Sequence, residues 1–103
     1  MSNKAILFPT TAIDKSTGRT VRVSKSGDVR RSAFPVTLQQ FREDGTRWGA
    51  FGVGNTLDAW TSIKHLAKEG RITQEEATAL LADADKADSN LRHRGNGNWI
   101  ETA

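Results

Sequence analysis

The stretch FPVTLQQFREDGTRWGAFGV, residues 34–53, decides the fold. It contains two β-prone runs, 34–42 and 47–53, which are separated by the polar segment EDGT at 43–46. The Asp-Gly pair in this segment readily adopts the positive φ angles of a type I′ turn. The stretch is therefore predicted to form a β-hairpin.

The register of this hairpin determines which side chains share a face. A two-residue loop pairs Phe41 with Trp48 and Leu38 with Phe51, whereas a three-residue loop with a bulge would shift the pairing. Alternation along the strands then gives one apolar face and one face with the Phe41–Trp48 pair. The apolar face is expected to hold Phe34, Val36, Leu38, Phe51 and Val53. The other face is expected to hold Thr37, Gln39, Phe41, Trp48 and Ala50.

Shorter β-prone runs precede the hairpin and alternate with polar loops. The runs cover residues 5–8, 11–13 and 19–23, and the loops cover 14–18 and 24–28. Such alternation is typical of an antiparallel meander. We predict an antiparallel sheet of about four strands within residues 4–54.

The hydrophobic period changes from strand to helix at Asn55. Apolar residues then recur at helical spacing until Gly70, and the TQEE sequence at 73–76 is a capping box that begins a second apolar stripe. The predicted helices cover residues 55–69 and 73–90, joined by a short link. The expected fold class is α+β, with this αα-hairpin packed on one face of the sheet. The helical side chains expected in the core are Trp60, Ile63, Leu66, Leu80 and Leu81.

Length and composition favour one small domain. The 103 residues suit a single α+β domain at 1–90, followed by a polar C-terminal tail at 91–103 in which Trp99 and Ile100 are the candidate anchors. The chain has no Cys, which excludes disulfides and thiol chemistry. It shows no signal-peptide apolar region and no apolar run of about 20 residues. We therefore expect a soluble, cytoplasmic protein without a membrane partner.

Charge is divided unequally along the chain, although the net charge is only +3. Residues 1–50 hold nine Lys or Arg and four acids, and residues 51–103 hold six Lys or Arg and eight acids. The first half therefore carries +5 and the second half −2. This dipole suits an anionic partner on the sheet half, although a solvated surface has the same pattern.

No catalytic or metal-binding motif is present. The two His residues, His65 and His93, belong to no nucleophile or ligand pattern, and Asp83 is expected on a solvated acidic helix face. The glycines at 49–54 lack the spacing of a phosphate-binding loop. The second helix is too acidic to read a DNA major groove. We expect neither an enzyme, nor a cofactor, nor a metal site.

The remaining candidate site is a basic and aromatic surface on the sheet half. Its predicted partner-binding residues are Lys15, Arg19, Arg22, Lys25, Arg30, Arg31, Phe41 and Trp48. Basic loops around aromatic rings are typical of proteins that bind single-stranded nucleic acid, because Lys and Arg contact the phosphates and the rings stack on the bases. These residues predict a small binding or regulatory protein whose partner is an anionic macromolecule, either nucleic acid or an acidic protein surface. The alternative is a protein–protein interaction module, such as a phage or mobile-element inhibitor of a host complex.

Overall fold

An antiparallel sheet followed by two helices that pack against it forms the body of the protein, as predicted. The computed structural model describes residues 5–26, 34–88, 91–94 and 98–101. The strands of the main sheet are β1 (Ile6–Leu7), β2 (Ala12–Ile13), β3 (Thr20–Lys25), β4 (Val36–Phe41) and β5 (Arg47–Phe51). The helices are α1 (Ala59–Lys68) and α2 (Gln74–Asp88), and the strands β6 (Leu91–Arg94) and β7 (Asn98–Glu101) follow them.

The sheet has the order β1-β3-β4-β5, and β2 also pairs with β3. Ile6 lies opposite Lys25 and Ala12 lies opposite Val21, so β1 and β2 are two parts of one interrupted edge strand. Pro9 falls in the interruption, where its missing N–H costs no ladder bond. The first two predicted runs therefore share one partner strand and do not pair with each other.

Near its turn, the β4–β5 hairpin has the second of the two predicted arrangements, a three-residue loop with a bulge. The amide of Arg42 donates to the Thr46 carbonyl over 2.8 Å, and Gly45 has a φ of 87°. This longer loop places Arg47 opposite Phe41, and a bulge then restores the expected pairing of Leu38 with Phe51. The predicted Phe41–Trp48 pair is therefore wrong, because Trp48 is the extra residue of the bulge.

Both helices begin at side-chain caps. The Asp58 carboxylate accepts a hydrogen bond from the amide of Thr61 over 2.8 Å, so α1 begins at Ala59, later than predicted. The residues before it form a tight turn, in which the amide of residue 53 donates to the carbonyl of residue 56. At the start of α2, Thr73 and Glu76 exchange hydrogen bonds of 2.8 and 3.0 Å, which confirms the capping box.

One hydrophobic core joins the sheet to both helices. The fully buried side chains of the sheet include Val21, Val23 and Leu38, and those of the helices include Ile63, Leu66 and Leu80. These three helical residues are core, as predicted, whereas Trp60 and Leu81 are only partly buried beside it. The indole Nε1 of Trp60 donates to the Asp85 carboxylate over 2.8 Å and links the two helices.

Two carboxylates are buried where the sheet meets the helices. Asp14 has no exposed surface, and Arg71 in the link between the helices binds both of its oxygens, at 2.9 and 2.6 Å. Asp83 is 5% exposed and accepts a hydrogen bond from the Thr10 amide over 2.9 Å. The prediction of a solvated Asp83 is wrong, since its side chain satisfies the backbone beside the break in the edge strand.

Beyond α2 the chain forms a second, two-stranded sheet. Strands β6 and β7 pair antiparallel, with His93 opposite Trp99. The sequence predicted only a polar tail here, because four-residue strands of mixed polarity give a weak period. No helix in the described part of the chain is long and apolar enough to span a membrane.

Candidate binding surface

The predicted basic residues do not form one exposed patch. Lys15 is exposed in the turn between β2 and β3, whereas Arg19, just before β3, and Arg22, within it, are half-buried. Arg30 and Arg31 lie outside the described residues.

Lys25 is not on the exposed surface that the sequence suggested. The sequence predicts a polar loop at 24–28, but β3 continues through Lys25, and the side chain is only 5% exposed. Alternation places Lys25 on the same face as the core residues Val21 and Val23. Because it is buried, Lys25 is not part of the candidate binding surface.

Arg22 is held by the broken edge of the sheet. Its Nε and Nη2 both donate to the Phe8 carbonyl, at 3.0 and 2.8 Å. This carbonyl lies between β1 and β2, where the edge strand is interrupted. The guanidinium is therefore fixed in place on the face that points away from the helices.

A cluster of two arginines and a tryptophan lies at the hairpin end of the sheet. The Trp48 side chain is 50% exposed, and the Cζ atoms of Arg19 and Arg42 lie 3.8 and 5.1 Å from its ring centroid. Arg19 also donates to the Gln40 amide oxygen over 3.2 Å. We call Arg19, Arg42 and Trp48 the Arg–Trp cluster; each such cation–π contact at an exposed site contributes about 0.5–1 kcal/mol.

Phe41 occupies the other face of the sheet. Its neighbours across the strands are Thr20 and Arg47, and Arg47 donates through Nε to the Gln39 amide oxygen over 2.8 Å. Gln40 precedes Phe41 along β4, so the side chain that holds Arg19 and the Phe41 ring point in opposite directions. The predicted single aromatic surface is instead two surfaces that meet at the hairpin.

Two cavities adjoin Phe41 on this second face, and both are bordered by Leu7. The first has a volume of about 170 Å³ and is lined by Ala5, Leu7, Ser24, Gln39, Phe41 and Arg47. The second has a volume of about 260 Å³ and is lined by Leu7, Thr11, Thr20, Arg22, Phe41, Arg42, Glu43 and Gly45. We call the surface that carries both cavities the Phe41 face.

Within the described residues, no carboxylate forms an ion pair with the arginines of these two surfaces. The ion pairs found there join Arg71 to Asp14 and Glu69, and His65 to Glu69. The carboxylate of Asp44, which is close to Arg42 in sequence, accepts hydrogen bonds from within the turn. Hydrogen bonds from the hydroxyl and amide of residue 46, together with the charge of Arg42, hold the pKa of Asp44 below its usual value. The guanidinium groups at the hairpin therefore form no direct ion pair, although Asp44 partly offsets the charge of Arg42.

Arg42 and Arg47 were not among the predicted site residues. The available signal was their position on either side of the turn at 43–46, which brings two cations to the end of one hairpin. Their contacts depend on the bulge at Trp48, which local sequence patterns do not specify. In the described part of the chain, no group of three His, Asp or Glu side chains could hold a metal ion.

Comparisons with known proteins add no further constraint. No protein-family model matches the chain, and no curated protein or solved structure shows significant similarity to it. The geometry of the hairpin and its surroundings is therefore the basis for a functional proposal.

Proposed function

We propose that this protein is a small, non-enzymatic binding or regulatory protein that engages an anionic macromolecule through the basic sheet half. The supporting observation is the set of guanidinium groups around Trp48 and Phe41 that form no ion pair with a carboxylate within the described residues. They belong to Arg19, Arg22, Arg42 and Arg47. The absence of Cys from the chain favours a reducing, cytoplasmic setting for this activity.

The guanidinium groups are already oriented before any partner arrives. Arg19 is held by Trp48 and Gln40, and Arg42 donates to the hydroxyl of residue 46 and the carbonyl of residue 47 at 3.1 and 3.0 Å. Side chains that are ordered in the free protein lose less entropy on binding. The remaining N–H groups of a planar guanidinium suit phosphate or carboxylate oxygens in a two-bond geometry.

Nucleic acid is the leading partner in this proposal, because cations without carboxylate partners beside aromatic rings match both parts of a nucleotide chain. The second candidate is a protein partner, including an inhibitory role for a phage or mobile element against a host complex. The Arg–Trp cluster favours this second candidate, since Trp and Arg dominate the binding energy of protein interfaces. Each candidate predicts a different dependence on salt.

A matched pair of double variants tests the proposal. Arg19→Gln with Arg42→Gln removes two charges from the Arg–Trp cluster, and Lys64→Gln with Lys68→Gln removes two exposed charges from α1. Binding of a fluorescent oligonucleotide is measured by anisotropy over a range of salt concentrations. The arginine variant is expected to lower the slope of log affinity against log salt by about one for each phosphate that these arginines neutralise. The lysine variant is expected to leave the slope unchanged.

Two results would contradict the proposal. Equal effects of the two double variants would show that binding reflects net charge and has no defined surface. If the wild-type protein bound neither DNA, RNA nor polyglutamate even at low salt, the proposal of an anionic partner would be wrong. Retention of a partner by wild-type protein from nuclease-treated lysate, abolished in the arginine variant, would support the protein candidate in place of nucleic acid.

A further inference from the structure

The two cavities of the Phe41 face have the size of single planar rings. An apolar cavity of about 150 Å³ is known to admit benzene. Both cavities here are partly open to solvent, and their volumes of about 170 and 260 Å³ leave room for a six-membered ring and a larger ring, respectively. Because Leu7 and Phe41 border both, two rings bound here would lie on either side of the same pair of side chains.

The lining of the first cavity combines an aromatic ring with hydrogen-bonding groups. Phe41 and Leu7 provide the apolar walls, and the Ser24 hydroxyl and the Arg47 guanidinium are its potential donors. Arg47 donates a hydrogen bond to Gln39 through Nε, and this bond leaves its two terminal nitrogens available as donors to a ligand. A ring with carbonyl or ring-nitrogen acceptors on its edge would suit these donors.

Positive charge borders both cavities. Arg47 lines the first, and Arg22 and Arg42 line the second, where Glu43 is the opposing acid. A chain that places rings in adjacent cavities and carries one negative charge per ring would match this arrangement. Nucleotide chains have this repeat, whereas acidic peptides carry their charge without a ring.

We infer that the Phe41 face binds single-stranded nucleic acid, with two consecutive bases in the cavities on either side of Leu7 and Phe41. This inference rests on the proposed function, and it adds the class of partner and the contacts. The bases must be unpaired, since the rings of a duplex are stacked inside the helix and cannot enter such cavities. The Phe41 ring stacks on a base, and the arginines at the rims of the cavities meet the phosphates.

The test compares single strands, duplexes and an acidic polymer. The probes are fluorescent oligomers of about ten nucleotides, as DNA and as RNA, a duplex of the same length, and polyglutamate as competitor. Wild-type protein is expected to bind both single strands more tightly than the duplex. Polyglutamate is expected to compete poorly at equal charge concentration.

A conservative variant tests the base contact itself. Phe41→Leu keeps an apolar side chain but removes the ring, and it is expected to weaken single-strand binding at least about five-fold, the lower limit for removal of one stacked base. The salt slope should not change, since stacking releases no counterions. Leu57→Ala is the control, because Leu57 is 41% exposed and lines neither cavity. Circular dichroism verifies that both variants are folded.

The outcomes distinguish the inference from the proposed function. Equal affinity for duplex and single strand, with no effect of Phe41→Leu, would overturn the inference and leave the proposed function standing. Efficient competition by polyglutamate would overturn it in favour of an acidic protein partner. Unchanged binding in Arg19→Gln with Arg42→Gln, together with a strong effect of Phe41→Leu, would support the inferred base contact but would remove the Arg–Trp cluster from the proposed function and Arg42 from the inferred phosphate contacts, leaving Arg22 and Arg47.

Discussion

At the scale of single residues, the buried ion pair between Asp14 and Arg71 connects two distant parts of the chain. Burial alone would raise the pKa of Asp14, but hydrogen bonds from Arg71, Ser16 and Thr17 outweigh this effect and hold the pKa below its usual value. The same contact raises the pKa of Arg71. The pair joins the β2–β3 turn to the link between the helices, where the Lys15 amide also donates to the Arg71 carbonyl.

Replacing Asp14 with Asn should destabilise the protein measurably. Asn keeps the size of the side chain but removes the charge that Arg71 meets, and hydrogen bonds to charged groups contribute about 1.5–3 kcal/mol. We expect a decrease of the unfolding free energy in this range, measured in urea at neutral pH. Glu69→Gln is the control; Glu69 meets the same arginine but is 46% exposed, so its effect should stay below about 1 kcal/mol.

The difference between wild type and Asp14→Asn should depend on pH in one direction. A carboxylate whose pKa is lowered by folding stabilises the native state above its unfolded pKa of about 3.9 and loses that effect as the pH falls through its folded pKa. The unfolding free energies of the two proteins should therefore show their full difference at pH 7 and become equal in strong acid. A difference that remained constant across this range would show that packing at Asp14, and not its charge, stabilises the fold.

The role of Asp14 could not be predicted from the sequence. It stands in a polar loop, and its partner is 57 positions away, so no local pattern relates the two residues. The same limit applies to Lys25, whose burial depends on where β4 pairs with β3. Predictions for single residues were confirmed where they rested on a local sequence pattern, as in the capping box of Thr73 and Glu76.

At the scale of elements, the start of α2 depends on the capping box. Thr73→Ala removes the hydroxyl that accepts from the Glu76 amide, and removal of such a cap costs about 1 kcal/mol. The matched control is Thr78→Ala, because the exposed Thr78 hydroxyl only donates to the Gln74 carbonyl within the helix. Thermal unfolding should show a lower midpoint for Thr73→Ala. Thr78→Ala should be neutral or slightly stabilising, since Ala is the better helix former; a larger decrease at Thr78 would contradict this assignment of the cap.

The elements were predictable to the extent that their signals were periodic or local. The hairpin, both helices and the apolar faces follow from the sequence, and Leu38 pairs with Phe51 as expected. The choice between a two-residue loop and a three-residue loop with a bulge did not follow, because both arrangements leave Leu38 paired with Phe51. The bulge moved Trp48 away from Phe41 and divided the predicted aromatic surface. The pairing of β6 with β7 was missed because these strands have no clear hydrophobic period.

At the scale of the whole molecule, the shared core predicts a single unfolding transition. The sheet and both helices contribute to one cluster of buried residues, and Asp14–Arg71 and Thr10–Asp83 connect its parts at the periphery. Unfolding in urea followed by tryptophan fluorescence and by circular dichroism should give coincident curves. Asp14→Asn should shift both curves equally. Separate transitions would show that the helices unfold independently of the sheet.

The charge distribution was the most informative whole-molecule property of the sequence. It indicated that the sheet half carries the basic surface. The structure adds Arg42 and Arg47 to the candidate residues of this surface and excludes the buried Lys25. Which arginines remain without carboxylate partners depends on distances that composition does not give. The cavities beside Phe41 depend on the broken edge strand, because Leu7 borders both of them.

The long-range bonds at the edge strand also determine when the protein can fold during translation. Thr10 bonds to Asp83 and Asp14 to Arg71, across separations of 73 and 57 residues. A ribosome adds about 5–20 residues each second, starting from the amino terminus. Strands β1 and β2 therefore leave the ribosome several seconds before α2 supplies Asp83, and their apolar side chains are exposed during that interval.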